Sequence, residues 1–220
     1  MPEYIDIFDA NMSPVPPYKM ERKEVVKTMH WHHTFDCWIV RRDPSGDKIL
    51  LQLRSKQKIN NPNTLDISAA GWLQSGERHE VDGIREVEEE LGITVDPTDL
   101  YYVGMVKEAT DRPGYYARNF CHTYFYETTH RLSNYKPQAS EVDGLFEINI
   151  SEGIKLFSGE QQSIEITGVA KDGQTYQPTQ RTISTSDMCG EHDRCKLTKY
   201  YLKIFLLAEL YLRGHRPLVI

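Results

Sequence analysis

The sequence has few cysteines, no long apolar run and no excess of basic residues, and each shortage excludes a class of protein. Four cysteines are scattered over 220 residues, which favours buried thiols in a reducing compartment over a disulfide framework. No stretch approaches the roughly 18 consecutive apolar residues of a membrane span. Lysine and arginine total 26 against 32 aspartates and glutamates, and a net charge of −6 disfavours general binding to nucleic acid or anionic membranes. Residues 1–9 lack the basic region and apolar core of a signal peptide, so we expect a cytoplasmic protein.

Short strand patterns alternate with two or three helical patterns along the chain, which predicts an α/β fold. Apolar and β-branched runs predict strands at Tyr4–Phe8, Thr34–Val40, Lys48–Leu53, Tyr101–Met105, Cys121–Tyr126 and Leu145–Ile150. Turn formers predict a loop from Asn11 to Tyr18. Apolar spacing predicts helices at Lys19–Met29, His79–Leu91 and Cys195–Arg213. The polar segment from Glu160 to Asp187 has strand-like patches around a turn, and it predicts a hairpin or a lid.

Three glutamates share one face of the helix predicted at His79–Leu91. At about 100° per residue, Glu86, Glu89 and Glu90 fall together, while another face carries the apolar residues Ile84, Val87 and Leu91. Glu86 and Glu90 are like charges one turn apart, which destabilises a helix unless a cation compensates. Several carboxylate oxygens suit Mg²⁺ or Mn²⁺, and Mg²⁺ often accompanies a phosphate-bearing substrate. A solvated acidic face is the alternative for a glutamate-rich helix.

A longer pattern around these glutamates resembles the signature of the Nudix hydrolases. That signature is glycine, five residues, glutamate, seven residues, arginine, glutamate, an aliphatic residue, any residue, two glutamates, any residue, glycine and an aliphatic residue. The sequence matches it at every specified position: Gly71, Glu77, Arg85, Glu86, Val87, Glu89, Glu90, Gly92 and Ile93. So many matches at fixed spacing do not arise by chance at ordinary residue frequencies.

This resemblance implies a fold and a reaction. The fold is an α/β/α sandwich with a mixed sheet and a loop–helix–loop catalytic motif, and the cofactor is Mg²⁺, with Mn²⁺ as a substitute. The family hydrolyses a diphosphate that is linked to another moiety, by in-line attack of a metal-activated water. The implied partner is therefore a small-molecule diphosphate, such as a nucleoside diphosphate derivative or a related organic diphosphate.

The same resemblance implies roles for the residues of the motif. Glu86, Glu89 and Glu90 match positions that bind metal and take part in catalysis, and the carbonyl group of Gly71 matches one that faces a metal. The positions that match the scaffold of the motif are Glu77, Arg85 and Gly92.

The flanking residues resemble the branch of the family that includes isopentenyl-diphosphate isomerase. In that branch a basic pair contacts diphosphate, which implies substrate binding by Arg54 and Lys58; two solvated loop cations are the alternative. The isomerases have cysteine and histidine where this chain has Ala70 and Trp72. Alanine cannot transfer a proton and indole does not replace imidazole as a ligand, so a hydrolase is favoured. An isomerase-like enzyme and a catalytically idle metabolite sensor are the remaining hypotheses.

Family members often place one more carboxylate near the metals from outside the motif. Glu141, just before a predicted strand, is the first candidate, and Glu108 is the second; an exposed loop acid is the alternative for each. A zinc site at Cys189, His192 and Cys195 lacks the fourth ligand that structural zinc usually has. The patch of His30, His32 and His33 is typical of partly buried or hydrogen-bonded histidines.

One Nudix domain accounts for the whole length of 220 residues. We expect an N-terminal strand and helix extension at residues 1–29, the Nudix core at 30–150, the late insertion or lid hairpin at 151–194 and the C-terminal helix at 195–213. By family resemblance, the N-terminal strand and turn (Tyr4–Tyr18) and the late hairpin are expected to serve as dimer or lid elements, and a homodimer is the preferred assembly.

Overall fold

The computed structural model describes residues 2–112, 115–173, 175–189 and 199–220, and in these ranges it has eleven strands and four α-helices. The strands are β1 (Tyr4–Phe8), β2 (Pro14–Glu21), β3 (His32–Arg41), β4 (Lys48–Arg54), β5 (Leu65–Asp66), β6 (Ala69–Trp72), β7 (Leu100–Arg112), β8 (Tyr115–Glu127), β9 (Val142–Asn149), β10 (Ile164–Asp172) and β11 (Thr175–Ile183). The helices are α1 (Arg22–Thr28), α2 (Ile84–Leu91), α3 (Ile150–Ser158) and α4 (Tyr200–Leu212). No helix in these ranges has the length and apolar character needed to cross a membrane.

A mixed sheet forms the centre of the fold. Its strands follow the order β11-β10-β9-β4-β3-β8-β7, while β5 pairs with β4 and β6 pairs with β3. The pairing of β3 with β8 is parallel, whereas β4 pairs antiparallel with both β3 and β9. The strands β1 and β2 form a separate two-stranded sheet. The mixed sheet predicted from the family resemblance is thus confirmed.

Helices cover both faces of the central sheet. On one face, Val87 and Leu91 of α2 pack with Phe35 of β3 in an apolar cluster. On the other face, α3 and α4 pack in a larger cluster that contains Trp38 and Phe205. The Nε1–H of Trp38 donates a hydrogen bond to the hydroxyl of Tyr200 at 3.2 Å, which fixes α4 to the sheet. The structure therefore has the expected α/β/α layers.

The bounds of several predicted elements differ from the structure. The helix predicted from Lys19 begins at Arg22, and the strand predicted to end at Ile150 ends one residue earlier, because α3 begins there. Two further differences have a clear cause. The helix predicted from His79 begins only at Ile84, because Asp82 stabilises a turn instead: its Oδ2 accepts from the N–H of Arg78 at 2.8 Å. The loop predicted at residues 11–18 is partly strand β2, which begins at Pro14. Prolines are tolerated there because, among the described residues, β2 pairs only with β1 and has no partner strand at its other edge.

The late polar segment forms a hairpin that continues the central sheet. Strands β10 and β11 pair along their whole length, from Ile164 opposite Ile183 to Asp172 opposite Thr175. Strand β10 also pairs with β9 through four residues. Of the two alternatives for this segment, the structure has the hairpin, and its strands extend the sheet at the edge opposite β7.

Candidate active site

The C-terminal end of α2 is fixed by a glycine and by the loop that leads to β9. Gly92 has a φ of 66°, and its N–H donates to the carbonyl oxygen of Glu88 at 3.0 Å, which is the left-handed end that the sequence predicts. The N–H of Gln138 donates to the carbonyl oxygen of Glu90 at 3.0 Å. The N–H of Glu141 in turn donates to the carbonyl oxygen of Gln138 at 2.9 Å. The motif helix and Glu141 are therefore tied together through backbone contacts.

Glu86 packs against the backbone of β6 at Gly71. A Cβ atom on residue 71 would lie 2.0 Å from Cδ of Glu86, so a side chain there would displace the carboxylate. Burial raises the pKa of Glu86, and the nearby charge of Glu89 raises it further, against the opposing effect of Arg85. The first glycine of the motif thus lets a helical carboxylate reach the strand.

Glu90 is the most buried carboxylate of the motif. Its side chain lies under β6, where Oε2 accepts hydrogen bonds from the N–H of Ala70 and from Nε2 of Gln52, both at 3.1 Å. Burial, and next the charge of Glu86, raise the pKa of Glu90 to about 7. The two hydrogen bonds favour the charged form of Glu90, but their effect on its pKa is smaller than the combined effect of burial and the charge of Glu86.

Arg85 joins the carboxylates of the motif. Its guanidinium donates to both carboxylate oxygens of Glu77 at 3.1 and 3.2 Å and to Glu89 at 3.0 Å. It also forms an ion pair with Glu86 at 3.0 Å and donates to the carbonyl oxygen of Trp72 at 3.4 Å. A planar group with several donors can hold three acidic side chains at once, which is the geometry expected of a scaffold.

The pair of Glu86 and Glu90 has the chemistry that binds a hard divalent cation. Glu90 is buried and Glu86 is partly buried. Burial raises the pKa of both carboxylates, and the charge of Glu86 raises the pKa of Glu90 further. Mg²⁺ prefers such oxygen donors, and its charge would offset their repulsion. Within the described ranges, no three His, Cys, Asp or Glu side chains are already gathered so that they could hold a metal ion, so the fit depends on this pair.

A cavity of about 390 Å³ opens beside the carboxylate pair. Its wall brings together most of the residues proposed from the sequence: Lys58, Gly71, Arg85, Glu86, Glu89, Glu90 and Glu141. Glu77 lies behind this wall, where it holds Arg85 and accepts from the N–H of Gln74 at 2.7 Å. Residues far apart in the sequence therefore form one polar cavity with charges of both signs.

Lys58 and Glu141 face each other in this wall and form an ion pair. Both side chains are about one-third exposed. Burial lowers the pKa of Lys58, as does the charge of Arg54, while Glu90 raises it. The lysine predicted to bind substrate and the glutamate predicted to take part in catalysis thus contact each other.

Arg54 is not part of the cavity wall. Its guanidinium donates to Asp66 Oδ2 at 3.1 Å and to the carbonyl oxygens of Asn60 and Asn61 at 3.1 and 3.3 Å. These contacts hold the polar loop that carries Lys58. These contacts use donors of Arg54 within the protein, and its contact with substrate stays a prediction.

Arg22 is a cation of the cavity that sequence reasoning missed. It lies in the wall at the start of α1, and its guanidinium carbon is 4.9 Å from the ring centroid of Trp72. Its ion pair with Glu3, at 3.0 Å, involves an arginine side chain that is 47% exposed. Its charge lowers the pKa of Glu86. No local motif marks this arginine, because its proximity to the carboxylates depends on the folding of a separate N-terminal sheet.

The remaining candidates lie elsewhere. Glu108, on β7, accepts a hydrogen bond from Nδ2 of Asn119 at 2.9 Å and is absent from the described wall of the cavity. His192 and Cys195 of the considered zinc site lie outside the described residues. Cys189 is described, and its Sγ lies 3.2 Å from Nδ2 of Asn61.

Similarity to known proteins covers most of the chain. The family model described as NUDIX domain matches residues 31–163. An uncharacterized Nudix hydrolase of Clostridium acetobutylicum is 34% identical over 206 residues, which are 94% of this chain and 96% of that protein. A Nudix hydrolase of Deinococcus radiodurans is 36% identical over 81 residues, which are 37% of this chain and 40% of that protein.

A solved structure has a similar fold. The crystal structure of DR0079 from Deinococcus radiodurans superposes on this chain with a TM-score of 0.54 and 18% sequence identity. The superposition covers 72% of this chain and 91% of that one. At this identity the similarity concerns the fold alone.

Proposed function

The chain belongs to the NUDIX domain family and is a hydrolase acting on diphosphate bonds, and we propose that it cleaves the diphosphate linkage of a small organic molecule with the help of Mg²⁺. The proposed substrate class is a nucleoside diphosphate derivative or a related organic diphosphate. The observation that supports this most strongly is the close pair of Glu86 and Glu90, one partly buried and the other buried, in the wall of the polar cavity.

The acidic residues of the cavity have separate proposed roles. Glu86 and Glu90 hold the cation, together with Glu89 and the carbonyl group of Gly71. Bound Mg²⁺ supplies positive charge that offsets the charge of the diphosphate and favours ionisation of water. Glu141 is the proposed proton acceptor for the attacking water, since it lies in the wall and is not one of the proposed cation ligands. Arg85 and Glu77 orient the other carboxylates through the hydrogen bonds described above.

The basic residues of the cavity are proposed to bind the diphosphate. Lys58 and Arg22 lie in the wall, and each has one carboxylate partner whose side chain is about one-third exposed. Exposed ion pairs of this kind contribute little to stability, so a phosphate oxygen can replace the carboxylate at low cost. Phosphate groups are well matched to arginine and lysine donors.

A panel of organic diphosphates with Mg²⁺ or Mn²⁺ tests the proposal, with both product release and the thermal unfolding midpoint as readouts. We expect metal-dependent product from at least one nucleoside diphosphate derivative, and none from the Glu90→Gln variant. A compound that stabilises the protein without being consumed would indicate a metabolite sensor instead. Proton exchange in isopentenyl diphosphate would indicate an isomerase, and Ala70 predicts that no exchange occurs.

Two further expectations accompany this function as proposals. A homodimer is the proposed assembly, and the cytoplasm is the proposed location. Light scattering at several protein concentrations tests the first, and fractionation of the source cells tests the second.

A further inference from the structure

Three histidines form a cluster outside the active-site cavity. His33 lies on β3, His122 on β8, and His79 in the segment between β6 and α2, here called the motif loop (residues 73–83). Nδ1 of His33 and Nε2 of His122 are 2.8 Å apart. The ring of His79 stacks on that of His122 with centroids 3.5 Å apart and an angle of 10° between the planes. The motif loop is thus packed on the sheet through a histidine.

Two tyrosines complete the hydrogen bonding of this cluster. The hydroxyl of Tyr102 lies 3.2 Å from Nδ1 of His122, and that of Tyr124 lies 2.6 Å from Nδ1 of His79. In the bond between His33 and His122 one nitrogen donates and the other accepts, so the two rings cannot both be protonated without breaking it. The observed arrangement therefore requires that at least one of these two rings is neutral.

The surroundings of the cluster favour the neutral state. Burial lowers the pKa of His33 and of His79, and burial together with the other two histidines lowers that of His122 to about 3. The charged groups that face the cluster are Asp6 from β1, near His33, and Arg78, Glu80 and Glu77 from the motif loop. Asp6 and Glu80 favour protonation of their neighbours and Arg78 opposes it, but burial is the larger effect.

The same loop holds the scaffold of the active site. Glu77 lies two residues before His79, and both line a second cavity of about 350 Å³ behind the motif. Glu77 holds Arg85 through the two hydrogen bonds of 3.1 and 3.2 Å, and Arg85 holds Glu86 and Glu89. Movement of the motif loop would therefore release the arginine that orients the carboxylates.

We propose that His79 is a positioning residue, and that its stacking on His122 holds the motif loop closed while the cluster is neutral and releases the loop when the cluster is protonated. Opening exposes the histidines to water and restores an ordinary pKa near 6.5. Protons therefore bind the open loop more tightly, and the opening equilibrium rises up to about tenfold per pH unit for each histidine that is exposed. The effect on turnover rests on the proposed function, whereas the motion of the loop does not.

Hydrogen exchange of the backbone amides of residues 74–82 tests this, measured from pH 7.5 to 5 and corrected for intrinsic exchange. The variant His79→Asn keeps a polar group near the hydroxyl of Tyr124 but cannot be protonated in this range. The matched control is His215→Asn, at an exposed histidine beyond α4. Because exchange is measured without metal or substrate, its outcome is independent of whether the chain hydrolyses the proposed diphosphate.

In the wild type and in His215→Asn we expect opening of the motif loop to increase about tenfold per pH unit below pH 6.5. In His79→Asn this pH dependence is expected to be smaller, because the loop no longer carries a titrating ring that stacks on His122. If His79→Asn is unfolded, His33→Asn takes its place and is expected to reduce the pH dependence. An unchanged pH dependence in the folded variant, or its absence in the wild type, would overturn the proposal.

Discussion

Nζ of Lys58 forms an ion pair with Oε2 of Glu141 in the wall of the active-site cavity. The two residues are 83 positions apart. From the sequence, Lys58 is predicted to bind substrate and Glu141 to take part in catalysis. While they are paired, a phosphate oxygen has to compete with the carboxylate for the ammonium group. Binding of a phosphate to Lys58 is therefore coupled to the release of Glu141 from this ion pair.

The variant Glu141→Gln should separate these two effects. Loss of the negative charge frees Lys58 for phosphate, so KM should fall by about threefold to tenfold, which corresponds to about one charge-assisted hydrogen bond. If Glu141 also accepts a proton, kcat should fall by about a hundredfold or more. Steady-state kinetics gives both parameters. Lys58→Gln is the complementary variant, and its KM should rise about tenfold; a higher KM in Glu141→Gln would contradict the coupling.

The variants Glu86→Gln and Glu90→Gln should each abolish most of the metal-dependent activity, with a loss of at least about a hundredfold in kcat/KM, because each removes a cation ligand. Glu88→Gln provides the control, since Glu88 lies on the same helix but is exposed. It should retain wild-type turnover. Titration with Mn²⁺, followed by its paramagnetic resonance signal, should show weaker binding in the first two variants only. Full activity in both of them would exclude the proposed role of the pair.

Arg22 and Arg54 should respond differently to replacement by glutamine. Arg22→Gln should raise KM about tenfold with little change in stability, because its ion pair is exposed. Arg54→Gln should instead lower the free energy of unfolding by about 2–4 kcal/mol, because it leaves the largely buried Asp66 without its partner. Urea denaturation and steady-state kinetics distinguish the two outcomes. The exposed neighbour of Arg22, Lys23, supplies the control variant Lys23→Gln, for which we expect wild-type values.

His32 should make the protein less stable in acid. Burial lowers its pKa to about 4 in the folded state, against about 6.5 in the unfolded chain. The neutral ring is the form that folds, so the stabilisation is complete above about pH 6.5 and is lost as the pH falls towards 4. The loss amounts to about 3 kcal/mol over that range.

Urea denaturation at a series of pH values measures this effect. The ring of His32 contacts that of Trp72 at a centroid distance of 3.7 Å, and His32→Phe keeps an aromatic ring there while it removes the titrating group. The fall in stability between pH 6.5 and 4 should be smaller in this variant than in the wild type. Equal slopes in the two proteins would mean that His32 is not buried as the structure describes.

Patterns that act over a few residues allowed much of the fold to be predicted. Strand β4 was predictable because a run rich in apolar residues follows a turn; it begins at Lys48 as expected and extends one residue beyond the predicted Leu53. The sequence also predicts correctly that α2 ends at Leu91, with Gly92 as its left-handed cap. The start of α2 was wrong because the side chain of Asp82 stabilises a turn, and helical periodicity contains no information about such a competing hydrogen bond.

The site was predictable only as far as the motif extends. Spacing alone brought Glu86 and Glu90 to one helical face, and the structure places them together in the cavity wall. The two arginines were not predictable in the same way. Arg54 lies near the motif but turns its donors towards Asp66, and Arg22 reaches the cavity from the separate N-terminal sheet. Such placements depend on contacts between elements that are distant in sequence, which no local pattern reports.

The hydrogen bond between Trp38 and Tyr200 also has a consequence for the order of folding during synthesis. The two residues are 162 positions apart, yet they share one apolar cluster. A ribosome releases the chain from its N-terminal end, so β3 and its neighbours emerge long before α4. Until then, the face of the sheet that carries Trp38 lacks its final cover. Exposed apolar surface on a nascent chain is what chaperones recognise, and we expect this face of the sheet to need such protection until α4 has been translated.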